Sequence, residues 1–364
     1  MYNFEPSEEQ TMLIDWAKRY ATNALRPASH EAEETATLPK DVIDQGWEMG
    51  ILQASIPEAY GGFGDHSAVT GVLAAEELAW GDLAGAMAVM TPGLFAYPIL
   101  LAGSEAQKEA YLAPLVEDEW KPYTAALVEA TFNFDPNELK TTATLDGDVY
   151  VINGEKTFVP YGDGAEAFIV YANLDGKTQG FIVPGELTGV EAGDRCKLLG
   201  VNGVPTYNVK FNEVRIPQGN RLGGEDGHEM DKILASMQLG IASLGVGLAK
   251  GAFEYARDYA KDRDAFGVKI AQKQAIAFML AEMAIEVEAI RLLIWEAAWK
   301  VDNDHEDAAK HAYLAHIGAV DMAMVVTDRA VQVLGGHGYI REHPVEHWMR
   351  NGRGIASLLG LAMI

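Results

Sequence analysis

A length of 364 residues is enough for two or three domains around substantial cores. The formal net charge of −25 at pH 7 argues against nucleic acid and against an anionic membrane surface as partners. The one cysteine, Cys196, cannot form an intrachain disulfide, which favours a reducing cytoplasm. The first residues lack the basic and apolar regions of a signal peptide, and no uninterrupted apolar run predicts a membrane span.

The spacing of apolar residues changes twice along the chain and divides it into three parts. Up to residue 122 the spacing is helical, and Ser7 and Ser104 each begin a helix as part of a capping box. From residue 123 the period falls to two, as in β-strands, and from Glu225 it is helical again. We therefore predict an α+β fold, with a helical domain at 1–122, a β domain at 123–224 and a helical domain at 225–364.

Within the β domain, short apolar runs are separated by dipeptides that favour turns. These are Asp146–Gly147, Asn153–Gly154 and Asp175–Gly176, whose composition suits the tight turns of hairpins. Because hairpins join antiparallel neighbours, we expect an antiparallel sheet.

A first candidate binding site is the elbow between two long helical patterns, from Arg263 to Gln274. Gly267 predicts the helix stop between them. The planar guanidinium of Arg263 can bind a pyrophosphate through two parallel hydrogen bonds, while Phe266 and Gln274 can hold an adenine or a ribitol. Taken alone, the same residues fit an ordinary helix hairpin with one surface arginine equally well.

A second candidate site lies near the end of a later helix, where the sequence reads Gln332-Val-Leu-Gly335-Gly336-His-Gly338. A glycine at this place can simply cap the helix. Capping needs one glycine, however, and here three follow a glutamine that lies one turn earlier. The pattern therefore favours a second binding segment.

Together these motifs resemble those of the acyl-CoA dehydrogenase family, and the stretch from Gly50 to Gly64 resembles the family's N-terminal loop. The resemblance covers nearly the whole chain. It implies an N-terminal helical domain, a middle antiparallel β domain and a C-terminal four-helix bundle, usually in a tetramer. It also implies an FAD-dependent oxidoreductase of lipid metabolism, with FAD at a subunit interface and an acyl-CoA substrate. The cofactor-binding residues that it implies are Arg263, Phe266, Gln274, Gln332, Gly335 and Gly336.

The family's catalytic base is missing from both positions at which members of the family carry it. The base is a glutamate that removes the α-proton of the thioester, and burial can raise its pKa. Leu359 occupies the usual position and Met237 the alternative one, so we assign no catalytic residue. The bulky Phe134 stands where a small serine is expected near the CoA arm. Pro160 replaces a hydroxyl residue expected near the flavin, and it has no backbone N–H.

These losses fall on one half of the family's cofactor site. In the family, one subunit supplies the β-domain contacts, the base and the C-terminal segment, and its neighbour supplies the two motifs in trans. Leu361 and Met363 replace polar residues of that C-terminal segment, whereas both trans motifs are retained. We infer a subunit that completes the FAD site of a homologous, glutamate-bearing partner in a heterotetramer. In the family, two-subunit arrangements are associated with bulky substrates such as sterol side chains, so the resemblance implies a bulky acyl group.

Two other hypotheses remain open. One is a homo-oligomeric flavoprotein with different chemistry, either monooxygenation or elimination, and the other is a flavin-free structural partner. No metal site is assigned, because His228 and Glu229 are interpreted as part of a solvated linker. His305, His311 and His316 do not keep one helical ligand spacing and are interpreted as surface or packing residues.

Overall fold

The computed structural model describes residues 5–364 and begins with a helical domain. Its helices are α1 (Glu8–Tyr20), α2 (Arg26–Thr35), α3 (Lys40–Trp47), α4 (Ala68–Gly81), α5 (Leu83–Met90), α6 (Gly93–Ala102) and α7 (Glu105–Tyr111). A π-helical turn, Ala21–Leu25, joins α1 to α2. Both predicted capping boxes are confirmed, because Ser7 and Ser104 each exchange hydrogen bonds with the glutamine three residues later.

One mixed sheet of seven strands forms the middle domain. The strands are β1 (Tyr123–Ala126), β2 (Thr142–Asp146), β3 (Val149–Pro160), β4 (Ala167–Leu174), β5 (Lys177–Pro184), β6 (Val190–Arg195) and β7 (Thr206–Pro217). They lie in the order β1-β4-β2-β3-β7-β6, and β5 pairs with β4. Most pairs are antiparallel as predicted, but β4 runs parallel to β1 and to the first residue of β2. These pairs are not sequential hairpins, so turn dipeptides could not predict them.

Two of the three predicted turns join neighbouring strands, and the third does not. Asp146–Gly147 connects β2 to β3, and Asp175–Gly176 connects β4 to β5. Asn153–Gly154 lies inside β3, at a shift in its register with β7. Gly154 has a φ of 156°, and a Cβ there would lie 2.4 Å from the Thr141 hydroxyl oxygen. A glycine is therefore needed here, because the strand has a bulge and two backbones approach each other closely.

The remaining chain forms a helical bundle of α8 (Met230–Asp262), α9 (Gln274–Asp302), α10 (Ala308–Leu334) and the shorter α11 (Val345–Gly354). A small hairpin, β8 (Asp264–Ala265) and β9 (Val268–Lys269), follows α8. By length and composition α8 could cross a membrane, but 89% of its apolar window is buried inside the fold. It is the central helix of the bundle and packs against α4, α9, α10 and α11.

The order of helical domain, β domain and helical bundle confirms the predicted α+β fold. One hydrophobic core is shared by α4 and α5 of the first domain and α8, α9 and α10 of the bundle. A second core lies between α6 and one face of the sheet, and a third covers the opposite face. Strand β1 begins at Tyr123 and helix α8 begins at Met230. We retain 1–122, 123–224 and 225–364 as the proposed domain division.

Candidate cofactor site

The elbow after α8 is a compact hairpin. Arg263 is the first residue beyond the helix, and its N–H donates to the carbonyl of Tyr259, one turn earlier, at 2.9 Å. Phe266 and Gly267 form the tip, with φ angles of 55° and 79°. The prediction that Gly267 stops α8 is wrong, because the helix ends at Asp262. The glycine instead gives the hairpin its left-handed backbone.

The elbow side chains that the sequence singled out all face solvent. Arg263 is exposed, and its guanidinium forms no hydrogen bond or ion pair with any residue from 5 to 364. By contrast, the nearby Arg257 pairs with Asp258 at 2.8 Å. Phe266 is 94% exposed. Its φ of 55° is unfavourable for a residue with a side chain. Gln274 is exposed at the first position of α9. The elbow therefore presents a cation, an aromatic ring and an amide outward.

The glycine motif at the end of α10 contains two different kinds of glycine. Gln332 is exposed, and a Cβ on Gly335 or Gly336 would meet no atom within 4 Å. A Cβ on Gly338 would lie 2.4 Å from the carbonyl oxygen of Val331, so that glycine is required for packing. Gly335 also has a φ of 59°. Gly335 and Gly336 thus leave backbone open to the approach of a ligand.

The two motifs are neighbours in space although about seventy residues separate them. The Tyr259 hydroxyl lies 2.7 Å from Nδ1 of His337, the residue between Gly336 and Gly338. Since the N–H of Arg263 donates to the carbonyl of Tyr259, the start of the elbow lies near the glycine motif. An exposed arginine near glycines that leave room for close approach fits a pyrophosphate, because a guanidinium can donate two parallel hydrogen bonds to phosphate oxygens.

A separate cavity of about 570 Å³ lies between the β domain and the bundle. Phe134 and Phe158 line it from the β domain, and His316 and Leu359 line it from the bundle. Glu129 also reaches its wall, but this carboxylate binds Lys156 Nζ at 2.8 Å. Glu129 additionally accepts the N–H groups of Lys140 and Thr141. Burial alone would raise the pKa of Glu129, but these contacts, above all the Lys156 ammonium, lower it.

Family models match all three parts of the chain. The acyl-CoA dehydrogenase N-terminal domain matches residues 7–119, the middle domain 124–214 and the C-terminal domain 228–360. The chain belongs to the acyl-CoA dehydrogenase family. It is therefore an acyl-CoA dehydrogenase-like flavoprotein of the oxidoreductase class, and its cofactor is FAD.

Individual relatives of this acyl-CoA dehydrogenase-like chain cover nearly its whole length. It is 35% identical over 357 residues to subunit CarC of the caffeyl-CoA reductase–Etf complex of Acetobacterium woodii, covering 95% of this chain and 93% of the relative. It is 32% identical to a 3-(aryl)acrylate reductase of Clostridium sporogenes, with coverage of 98% and 96%. The structure of butyryl-CoA dehydrogenase from Megasphaera elsdenii matches with a TM-score of 0.89, 32% identity, and coverage of 100% and 96%.

Leu359 and Met237, where the resemblance predicts a catalytic base, do not lie beside an acid that could take that role. Leu359 lines the cavity, where the one carboxylate, Glu129, is held by its ion pair. Met237 is fully buried in α8. Pro160 is buried at the end of β3, where its Cα pairs with that of Thr206. A general base must reach the proton that it removes, and no such group occupies these positions.

The C-terminal segment also turns its side chains away from any cofactor. Leu361 is 2% exposed and Met363 is fully buried. A Cβ on Gly240 of α8 would lie 3.1 Å from the Cα of Met363, and Ile364 lies against Gly71 of α4. These residues contribute apolar packing between helices, and they offer no polar side chain to the phosphates of a dinucleotide.

His316 lines the cavity. The sequence predicted only that it is a surface or packing residue, and did not place it in a site. It is 8% exposed, and its Nδ1 has no hydrogen-bond partner among residues 5–364. Burial lowers its pKa, opposed by a hydrogen bond with the backbone of Gln238, and this shift favours the neutral imidazole. The spacing of the buried residues Ala312, His316, Ala319 and Ala323 along α10 is the signal that could have placed it on the buried face.

The interpretation of His228 as part of a solvated linker is wrong. Nε2 of this partly buried imidazole accepts the backbone N–H of Gly180 at 2.8 Å. Burial lowers the pKa of His228, and the charge of Arg221 lowers it further. In the part of the chain that the structure describes, no group of three or more His, Cys, Asp or Glu side chains could hold a metal ion.

Proposed function

We propose that this chain is a subunit of a hetero-oligomeric acyl-CoA dehydrogenase and completes the FAD site of a homologous, glutamate-bearing partner. The observation that carries the proposal is the contrast between the two halves of its site. Arg263, Phe266, Gln274 and the open glycines face solvent, and the Arg263 guanidinium has no hydrogen-bond or ion-pair partner among residues 5–364, whereas Leu359 lines the chain's own cavity at the predicted base position. On this proposal, the half that acts on a neighbour is retained and the half that acts locally is lost.

The exposed residues explain what this chain would contribute to the partner. Arg263 would bind the pyrophosphate of the partner's FAD, and the glycine backbone at Gly335 and Gly336 would approach the same cofactor closely. Phe266 and Gln274 would hold its adenine or ribitol portion. When bound, FAD supplies the hydride acceptor for α,β-dehydrogenation. The base that removes the α-proton belongs to the partner.

The outer surface of the bundle supports assembly with a similar subunit. Phe278, Ile285 and Leu292 recur every seven residues along α9 and are 60%, 66% and 42% exposed. Helix α10 adds Tyr313, Leu314 and Ile317, which are also large, apolar and exposed. Exposed apolar side chains in two such stripes are typical of a surface that packs against another subunit.

Two relatives support a class of acyl group and an electron partner. Caffeyl-CoA reductase and 3-(aryl)acrylate reductase are named for substrates that contain an aromatic ring. We therefore propose a bulky acyl-CoA as substrate of the complex. The first relative is a subunit of an Etf complex, so an electron-transferring flavoprotein is the proposed redox partner. We retain the cytoplasm as the proposed compartment.

The second candidate is a homo-oligomer with its own chemistry in the 570 Å³ cavity. His316 favours it, because a buried neutral imidazole with a free Nδ1 could accept or donate a proton there. Leu359, Phe134 and Pro160 argue against it, since they remove the base, narrow the expected CoA path and eliminate a hydrogen-bond donor. The proposed trans role needs none of these groups and is therefore preferred.

Native mass spectrometry with flavin quantitation separates the two candidates. The full chain is purified alone and after co-expression with the glutamate-bearing acyl-CoA dehydrogenase encoded nearest to it. The proposed function predicts little FAD in the chain alone, and a mixed complex with FAD and acyl-CoA dehydrogenation activity. A homo-oligomer that retains stoichiometric FAD and is active without a partner would refute it.

A further inference from the structure

Four half-buried rings connect the end of α8 to the segment that contains the glycine motif. Tyr255 and Tyr259 lie one turn apart on α8, and each hydroxyl lies 2.7 Å from Nδ1 of a histidine. Tyr255 contacts His343, and Tyr259 contacts His337. The two imidazoles stack on each other, with centroids 5.4 Å apart and an interplanar angle of 13°. We call these four residues the Tyr–His cluster.

Only one of the two Tyr–His contacts joins the cofactor motifs. Tyr259 accepts the N–H of Arg263 through its carbonyl and contacts His337 through its hydroxyl. His337 lies between Gly336 and Gly338, so this contact fixes the glycine backbone relative to the elbow. Tyr255 makes an equivalent contact with His343, which lies beyond the motif. Neither Tyr259 nor His337 belongs to the residues assigned to hold FAD.

We propose that Tyr259 and His337 are positioning residues, which hold the arginine elbow and the glycine motif in one register so that they bind a dinucleotide together. The inference rests on the proposed trans role of these motifs. Binding groups that are already aligned lose less conformational freedom when the ligand binds. The elbow is a hairpin at a helix end, and a shift of the glycine segment against it would move the backbone of Gly335 and Gly336 relative to Arg263.

Tyr259→Phe removes the contact and leaves the ring. One neutral hydrogen bond corresponds to roughly a 2- to 12-fold change in an equilibrium constant, so FAD should bind the mixed complex that much more weakly. Tyr255→Phe is the matched control, because it removes a bond of the same length from the same helix and the same cluster. It should change the FAD dissociation constant by less than about twofold, because its partner His343 lies beyond the glycine motif.

Two substitutions at His337 distinguish positioning from general packing. His337→Ala should weaken FAD binding as much as Tyr259→Phe does. His337→Asn should restore most of the affinity, because an asparagine amide can place a donor or acceptor near the position of Nδ1. If Asn and Ala behave alike, His337 acts through its ring packing, and the positioning role is wrong.

Hydrogen–deuterium exchange on the full chain without FAD supplies a readout that does not depend on the cofactor. Tyr259→Phe should raise exchange in segments 263–274 and 332–340 by roughly 2- to 12-fold, and Tyr255→Phe should not. Equal exchange in the two variants would overturn the inference. If Arg263→Ala lowers FAD affinity and Tyr259→Phe does not, the inference fails while the proposed function stands. If Arg263→Ala has no effect, the proposed function itself fails.

Discussion

Replacing Arg263 with alanine is the most direct test of the trans role. The side chain is exposed and has no partner among residues 5–364, so its removal should leave folding and assembly intact. Hydrogen bonds to charged groups contribute about 1.5–3 kcal/mol. The FAD dissociation constant of the mixed complex should therefore rise by about 10- to 150-fold, although the catalytic glutamate of the partner is unchanged.

The measurement is equilibrium dialysis of FAD against the mixed complex, together with acyl-CoA dehydrogenation. Arg263→Lys should recover only part of the affinity, because an ammonium cannot reproduce the planar pair of donors. Arg257→Ala is the control, since that guanidinium lies on the same helix end but already pairs with Asp258. If the complex with Arg263→Ala stays assembled by size exclusion and keeps full flavin occupancy, Arg263 does not bind the partner's cofactor.

Three further predictions concern the chain's own cavity and its buried polar groups. Leu359→Glu should not produce acyl-CoA dehydrogenation in a homo-oligomer, because the other cavity contacts stay altered; turnover by that variant alone would contradict the trans role. Lys156→Ala should lower the free energy of unfolding by about 3–5 kcal/mol, because it strands the buried carboxylate of Glu129; urea unfolding that shows a loss below about 1 kcal/mol would disagree. His228 binds the N–H of Gly180 only as a neutral imidazole and has a lowered pKa, so its contribution should decline as pH falls below the unfolded pKa of about 6.5. His228→Gln should fold equally well at pH 7 and lack that part of the loss at pH 5, as measured by urea midpoints.

Local patterns in the amino-acid sequence were sufficient to predict the order of helices and strands along the chain. The capping boxes at Ser7 and Ser104 are formed, and the long helices before and after the elbow match α8 and α9. Helical and strand periods arise from backbone geometry that repeats over a few residues, so they are visible in any sufficiently long stretch. The change from period 3.6 to two and back therefore predicted the α+β order without tertiary information.

Local patterns did not predict the structural role of residues whose contacts are distant in sequence. Asn153–Gly154 has the composition of a turn, but its glycine makes room for Thr141 inside the sheet. The parallel pairing of β4 with β1 depends on how the whole domain closes, and no dipeptide specifies it. His228 was interpreted as part of a solvated linker, yet its ring accepts a hydrogen bond from β5. In each case a contact between residues that are distant in sequence decides the outcome.

For the cofactor site, too, some features were determined by the sequence and others only by the tertiary structure. The sequence by itself determined which residue types are present: an arginine, an aromatic ring, glutamines and glycines in two motifs, and a leucine at the position where the resemblance predicts a base. Only the tertiary structure decided that Arg263 has no protein partner, that Gly335 and Gly336 are open while Gly338 is packed, and that His337 contacts Tyr259. Residue chemistry is a property of each position, and it can be read one position at a time. Exposure and contact depend on which residues become neighbours in the folded chain. Tyr259 and His337 become neighbours only when the buried faces of α8 and α10 pack together.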